Sequence, residues 1–299
     1  MLTGLSAFPL TPLTDDSVDE PSFAALVERL ARAGVDSIGA LGSTGSAPYL
    51  DRGERRRASQ IAVRSAGPVP VVVGIGALRT SQVLALAEDA QNAGASAVLL
   101  APLSYQPLTD EEVFGLYEDV TAQLSVPLVV YDNPGTTHVT FTDDLYAAVA
   151  ALPHVASMKI PGVPAEQEAA TLRVQAIRHL LPKEVGIGVS RDDAAARGLL
   201  AGCDAWYSVL GGLFPQTALR MVRAVRAGDS AAVTAESARL QPLWDLFAEY
   251  GGSYRVVAAM AEQLGLVAVD CLPRPVRGLD LRARNRVAEV LAALGLTAE

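Results

Sequence analysis

Short apolar runs recur along this chain, each followed by an amphipathic stretch, and that alternation leaves few folds open. Strands are expected near Leu5–Pro9, Ser37–Leu41, Val69–Val73, Ser96–Leu100, Pro127–Tyr131, Val155–Lys159, Val185–Val189 and Ala205–Leu210. Their near-continuous Val, Ile, Leu and Ala content suits a parallel sheet covered on both faces. Between them, stretches such as Glu20–Ala33, Ser81–Ala93, Asp110–Leu124, Thr142–Ala151 and Asp192–Ala201 place apolar residues three and four apart. Gly34, Gly94 and Gly202 supply stop signals. Eight β/α alternations in about 215 residues predict a closed (β/α)8 barrel. The competing doubly wound open sheet usually carries a glycine fingerprint after its first strand, where this chain has Phe8-Pro-Leu-Thr-Pro12. From about Phe214 to Leu296 the pattern is helical throughout, in segments Pro215–Ala227, Ser230–Glu249, Gly252–Leu264 and Leu279–Leu294. The chain therefore divides into a catalytic barrel, residues 1–214, and a C-terminal helical region, 215–299, that serves as a cap or oligomerisation element.

Composition narrows the partners. A net charge of −9 with a pI near 4.9 leaves no basic stripe for nucleic acid. No apolar stretch approaches the ~20 residues of a membrane span, and the N-terminus has neither the basic region nor the apolar core of a signal peptide. Two cysteines, Cys203 and Cys271, make no disulfide framework, which fits a reducing cytoplasm. His138, His154 and His179 lack the spacing of a helical zinc site, so no metal is expected. Small-molecule chemistry remains.

In a barrel of this kind chemistry sits at the carboxyl ends of the strands. Those ends carry Thr11, Gly42-Ser-Thr-Gly45, Tyr131, Lys159, Ser190-Arg191-Asp192 and Tyr207. Of the 24 basic side chains only Lys159 and Lys183 are lysines, and Lys159 ends an apolar run. A lysine there can lose its proton and attack a carbonyl, which an arginine cannot do. Lowering an amine from a pKa near 10.4 by ~3 units costs about 4 kcal/mol, a shift that burial can produce and solvent exposure cannot. Tyr131 precedes Lys159 by 28 residues, the span of one βαβ unit, so adjacent strands set a phenol beside the amine as a proton relay. The Gly42–Gly45 turn can converge backbone N–H groups and the Ser43 and Thr44 hydroxyls on a small carboxylate.

These residues resemble the dihydrodipicolinate synthase/N-acetylneuraminate lyase family of Schiff-base aldolases and lyases. The likeness runs over the whole chain, through Phe8-Pro-Leu-Thr-Pro12, Gly42-Ser-Thr-Gly45, Tyr131-Asp-Asn-Pro134, Lys159 and Leu264-Gly-Leu-Val-Ala-Val-Asp270. It implies a Lys159 imine with pyruvate or another 2-keto acid, Tyr131 as proton shuttle, and Ser43, Thr44 and Gly45 around the keto-acid carboxylate. It further implies a homo-oligomer, commonly a tetramer, and an aldehyde as a second substrate. No cofactor is expected, since a pyridoxal-phosphate lysine would need a phosphate site that the sequence does not offer.

Four departures bear on substrate choice. The glycine-hydroxyl motif of the family usually continues with Glu, where this chain has Ser46. The arginine that holds the aldehyde's carboxylate in the synthases aligns with Thr136, and their second relay tyrosine aligns with Ser104, one place before Tyr105. Arg191 stands where a glycine is usual and is read as a relocated carboxylate contact. Three readings follow: reversible C–C cleavage or condensation of a 2-keto acid; dehydration of a 2-keto-3-deoxy sugar acid, or dihydrodipicolinate synthesis, through the same imine; and an inactive barrel that only binds a keto acid.

Overall fold

The computed structural model describes residues 2–298. Eight parallel strands close a barrel in chain order: β1 (Gly4–Ala7), β2 (Ser37–Ala40), β3 (Val71–Gly74), β4 (Ala97–Leu100), β5 (Leu128–Tyr131), β6 (Val155–Ile160), β7 (Gly186–Val189) and β8 (Ala205–Ser208), with β8 pairing back onto β1. Each strand falls within one or two residues of its expected place. The ring outside is α1 (Glu20–Ala33), α2 (Arg52–Ala66), α3 (Thr80–Asn92), α4 (Asp110–Thr121), α5 (Asp143–Ala150), α6 (Gln167–Leu180), α7 (Ala195–Leu200) and α8 (Pro215–Arg226).

Local chemistry explains where these helices begin and end. Asp19 accepts from the Ser22 amide at the start of α1, Phe23, Leu26, Val27 and Leu30 face the sheet, and Gly34 closes the helix in the left-handed region. Capping boxes of Asp51 with Glu54 and of Thr109 with Glu112 open α2 and α4. Between β1 and α1 a two-residue hairpin, Leu13–Thr14 against Ser17–Val18, turns through Asp15 and Asp16. Both have positive φ, as a type I′ turn requires.

Beyond the barrel lie α9 (Ser230–Arg239), α10 (Gln241–Glu249), α11 (Ser253–Gln263) and α12 (Leu281–Leu294). The expected single segment Ser230–Glu249 is two helices. Pro242, in the first turn of α10, has no N–H to continue the preceding ladder, and Leu240 serves as the junction. Nor is the region helical throughout: residues 265–280 are irregular, with Gly265 at positive φ and Pro273 and Pro275 unable to donate.

Two apolar cores result. The larger lies between strands and helices and runs without a break from Leu5 and Phe23 to Val256, Cys271 and Val287 of the C-terminal region. The smaller fills the barrel itself, with Phe8, Val72, Ala97, Leu99, Val129, Ala205 and Tyr207 packed together and Tyr131 against them. It forms the floor beneath the strand ends.

Candidate active site

Strand pairing sets Tyr131 of β5 directly opposite Lys159 of β6, and Lys159 opposite Gly188 of β7. The lysine is 5% exposed, and its Nζ lies 3.9 Å from the centroid of the Tyr131 ring, 4.1 Å from that of Phe8 and 5.5 Å from that of Tyr207. Among the described residues it makes no salt bridge and no hydrogen bond. Burial pulls its amine down to about 7, while the Asp192 carboxylate pushes it the other way. Tyr131 is held by the Asn133 amide, whose Nδ2 donates to the phenol at 3.0 Å. Burial raises this phenol to about 12, against the hydroxyl of Ser43 and the Asn133 amide, which favour its ionised form. The neutral, nucleophilic form of the lysine is thus accessible near pH 7, and the phenol beside it keeps its proton.

Asp192 lies directly after the short link that ends β7. Its carboxylate is buried and accepts from Trp206 Nε1 at 2.9 Å, Ser208 Oγ at 3.1 Å and the Leu210 amide at 2.7 Å, tying the ends of β7 and β8 together. Burial lifts it to about 6 despite these donors. This residue was legible only as a member of the strand-seven end. Its weight comes from Trp206 and Ser208 on the neighbouring strand, which no spacing in the sequence connects to it. Phe8 was likewise legible as a motif residue and not as a ring over the amine.

The Gly42–Gly45 turn is flanked by Leu41 and Ser46, both at positive φ. The Gly45 amide donates to Gly42 O at 3.0 Å and the Ser46 amide to Ser43 O at 3.3 Å. Gly45 is accordingly a turn residue whose own N–H is occupied. An added Cβ there would lie 2.9 Å from Leu41 Cα. The Ser43 side chain borders the same cavity as the Tyr131 phenol, while Thr44 is buried. A cavity of about 40 Å³ opens here, bordered by Gly42, Ser43, Gly74, Leu103 and Tyr131. A larger cleft of about 250 Å³ lies between the hairpin and residues 268–274, and none of its lining residues belongs to this group.

The remaining expected contacts are scattered. Tyr207 is buried in the barrel floor, its hydroxyl bonded to Ser157 Oγ at 2.7 Å. Thr11 is buried, with no partner for its hydroxyl among the described residues. Thr136 is exposed on the single turn Pro134–Thr137 and leans on the Asn133 carbonyl at 3.4 Å. Arg191, at φ +63°, turns its guanidinium onto Asp193, with contacts of 3.2 and 2.7 Å. Tyr105 is 89% exposed, and the rings over Lys159 among the described residues are those of Phe8, Tyr131 and Tyr207.

A desolvated amine at the strand ends of a (β/α)8 barrel, with a phenol stacked on it, marks a lyase of the Schiff-base class. The comparisons agree. Residues 1–294 match the model of the dihydrodipicolinate synthetase family, and the chain belongs to that family. A crystal structure of dihydrodipicolinate synthase from Agrobacterium tumefaciens is 44% identical, superposes with a TM-score of 0.93 and is covered over 98% of each chain. The 4-hydroxy-tetrahydrodipicolinate synthases of Methylococcus capsulatus and Thioalkalivibrio sulfidiphilus are 33% and 31% identical, over 99% of this chain and 100% and 99% of theirs.

Proposed function

We propose that the protein reversibly condenses or cleaves a 2-keto acid, with pyruvate as donor, through an imine on Lys159. The observation that carries this reading is the unpaired, buried amine in register with Tyr131. Neutral Nζ attacks the keto carbon, forming the N–C bond. The carbonyl oxygen departs as water, taking the second amine proton and one supplied from outside the pair, so that a cationic iminium remains. Tyr131 donates to the departing oxygen and is reprotonated, and loss of a C3 proton from the iminium gives the enamine that attacks an aldehyde. The Ser43 and Thr44 amides, which make no backbone bond among the described residues, and the Ser43 hydroxyl receive the keto-acid carboxylate. Thr44 takes part in the relay, and Thr11 lies by the first strand end.

The relatives are named as dihydrodipicolinate and 4-hydroxy-tetrahydrodipicolinate synthases. Thr136 offers no charge where the synthases hold an aldehyde's carboxylate, so in this reading Arg191, released from Asp193, takes that contact. Tyr207 shapes the floor under C3. We propose a homo-oligomer, in which the exposed Leu78 and Tyr105 are covered by another copy. Sedimentation of only monomer at micromolar concentration removes that part. Two free, buried cysteines support a reducing cytoplasm.

The test is trapping. Incubation with pyruvate and borohydride, then digestion and mass spectrometry, is expected to place a pyruvate-derived adduct on the Lys159 peptide. Lys159→Ala should show none. A wild-type protein without adduct would leave only a keto-acid-binding barrel.

A further inference from the structure

We infer that Phe8, Tyr131 and Tyr207 form an aromatic cage whose function is to stabilise the cationic iminium on Lys159, making Phe8 and Tyr207 residues of the reaction and not only of the core. The inference rests on the imine reading above, and its test separates the two. Three rings from three different strand ends surround one nitrogen: Tyr131 and Phe8 present their faces at 3.9 and 4.1 Å, and Tyr207 lies at 5.5 Å. Phe8 and Tyr207 also meet edge to face, with centroids 6.1 Å apart and planes at 79°. Rings in this arrangement aim the negative faces of their quadrupoles at a common point.

The neighbours hold the cage in place. A Cβ at Gly39 would lie 2.3 Å from Phe8 Cζ, and one at Gly188 would lie 2.1 Å from Tyr207 Cε2, so glycine on β2 and on β7 vacates the room each ring takes. The Tyr207 hydroxyl is fixed on Ser157 Oγ and the Tyr131 hydroxyl on Asn133 Nδ2, which fixes two of the rings in plane and tilt.

A cage of this kind resolves a conflict in the chemistry. Apolar burial makes the free amine a nucleophile by disfavouring its charge, yet the product of attack is itself a cation. Charged side chains close to the nitrogen would repair the second problem and spoil the first by holding the amine protonated. Ring faces attract either cation, but more weakly than a carboxylate would, so burial still leaves the amine neutral near pH 7 while the iminium gains their attraction. The carboxylate of Asp192, occupied by its own three donors, supplies the remaining, more distant field.

The experiment uses the full chain with mono-, di- and trifluorinated phenylalanine at position 8, which weaken the ring face with little change of shape. Phe8→Leu and Tyr207→Phe serve as companions. The imine equilibrium with pyruvate is read by borohydride trapping at about pH 8.5, where an amine of the pKa described above is neutral, so that ring effects report on the iminium. The trapped fraction should fall stepwise with fluorination, by about fivefold in equilibrium constant for the loss of one ring face. Tyr207→Phe, which keeps the ring face and loses only its anchor on Ser157, should lower the constant by less than Phe8→Leu, which removes a face outright. An equilibrium constant indifferent to fluorination overturns the cage while leaving the imine standing. Absence of any wild-type adduct overturns the imine reading itself.

Discussion

Lys159 sets a thermodynamic cost that its variants should reveal. Its amine sits at about 7 in the fold and near 10.5 when exposed in the unfolded chain. Between those values the unfolded state binds more protons, so stability rises with pH across the window and the penalty is fully present below it. A shift of this size corresponds to about 5 kcal/mol. Lys159→Met, of similar length and without charge, should therefore be more stable than wild type at about pH 6 by an amount of that order, with the gap closing towards pH 10.5. Chemical denaturation across that range measures it, and a gap independent of pH would show that the amine is not desolvated. In the imine reading, the same burial that readies the amine for attack makes it destabilising, the familiar exchange of stability for function. Asp192 acts in the opposite sense on the amine, so Asp192→Asn should move the pH midpoint of imine formation downward. That variant keeps a side chain able to accept from Trp206 and Ser208.

At the scale of elements, the barrel is organised by what its strands omit as much as by what they carry. Gly188 on β7 leaves room for the ring of Tyr207 on β8. Gly188→Ala should cost about 1–3 kcal/mol through overpacking. Combining it with Tyr207→Leu should recover part of that loss, and a double-mutant cycle measured by thermal unfolding gives the coupling. Strict additivity would show that ring and glycine do not share the space. This pairing also marks the limit of sequence reading. Strand positions were legible because buried parallel strands must be apolar on both faces, and Tyr131 with Lys159 was legible because one βαβ unit fixes their neighbourhood. The Gly188–Tyr207 and Asp192–Trp206 relations join positions whose dependence arises only when the barrel closes. The break at Leu240 was signalled by Pro242, since a proline in the first turn of a helix ends whatever precedes it. The irregular stretch 265–280, with its glycines and prolines, carried the same kind of signal.

The whole molecule is joined at the place where the family pattern is broken. Ser46, where the family resemblance leads one to expect a glutamate, shares a hydrogen bond of 2.7 Å with Tyr254 of α11, whose ring stacks on Tyr49 at 6.4 Å and 6°. The glycine-hydroxyl turn is thereby tied to the C-terminal helices, and the main apolar core passes without interruption from barrel to tail. We propose that the catalytic barrel of residues 1–214, whose ring α8 completes from the far side of that boundary, and the rest of residues 215–299 as a structural cap lose their structure together. The chain's two tryptophans fall one on each side of that division. Trp206 is enclosed in β8 with its indole N–H on Asp192, whereas Trp244 is in α10 with its indole N–H on the Ser237 carbonyl at 3.2 Å. Trp206→Phe and Trp244→Phe would give two singly emitting proteins, one reporting on each side. Coincident denaturation curves are expected, and separated midpoints would show the cap melting alone. Trp206 donates its indole N–H to the carboxylate whose charge acts on Lys159, so its emission is expected to change with the charge on that amine. Pyruvate titrated into the Trp244→Phe protein would be followed by light alone, with no added dye.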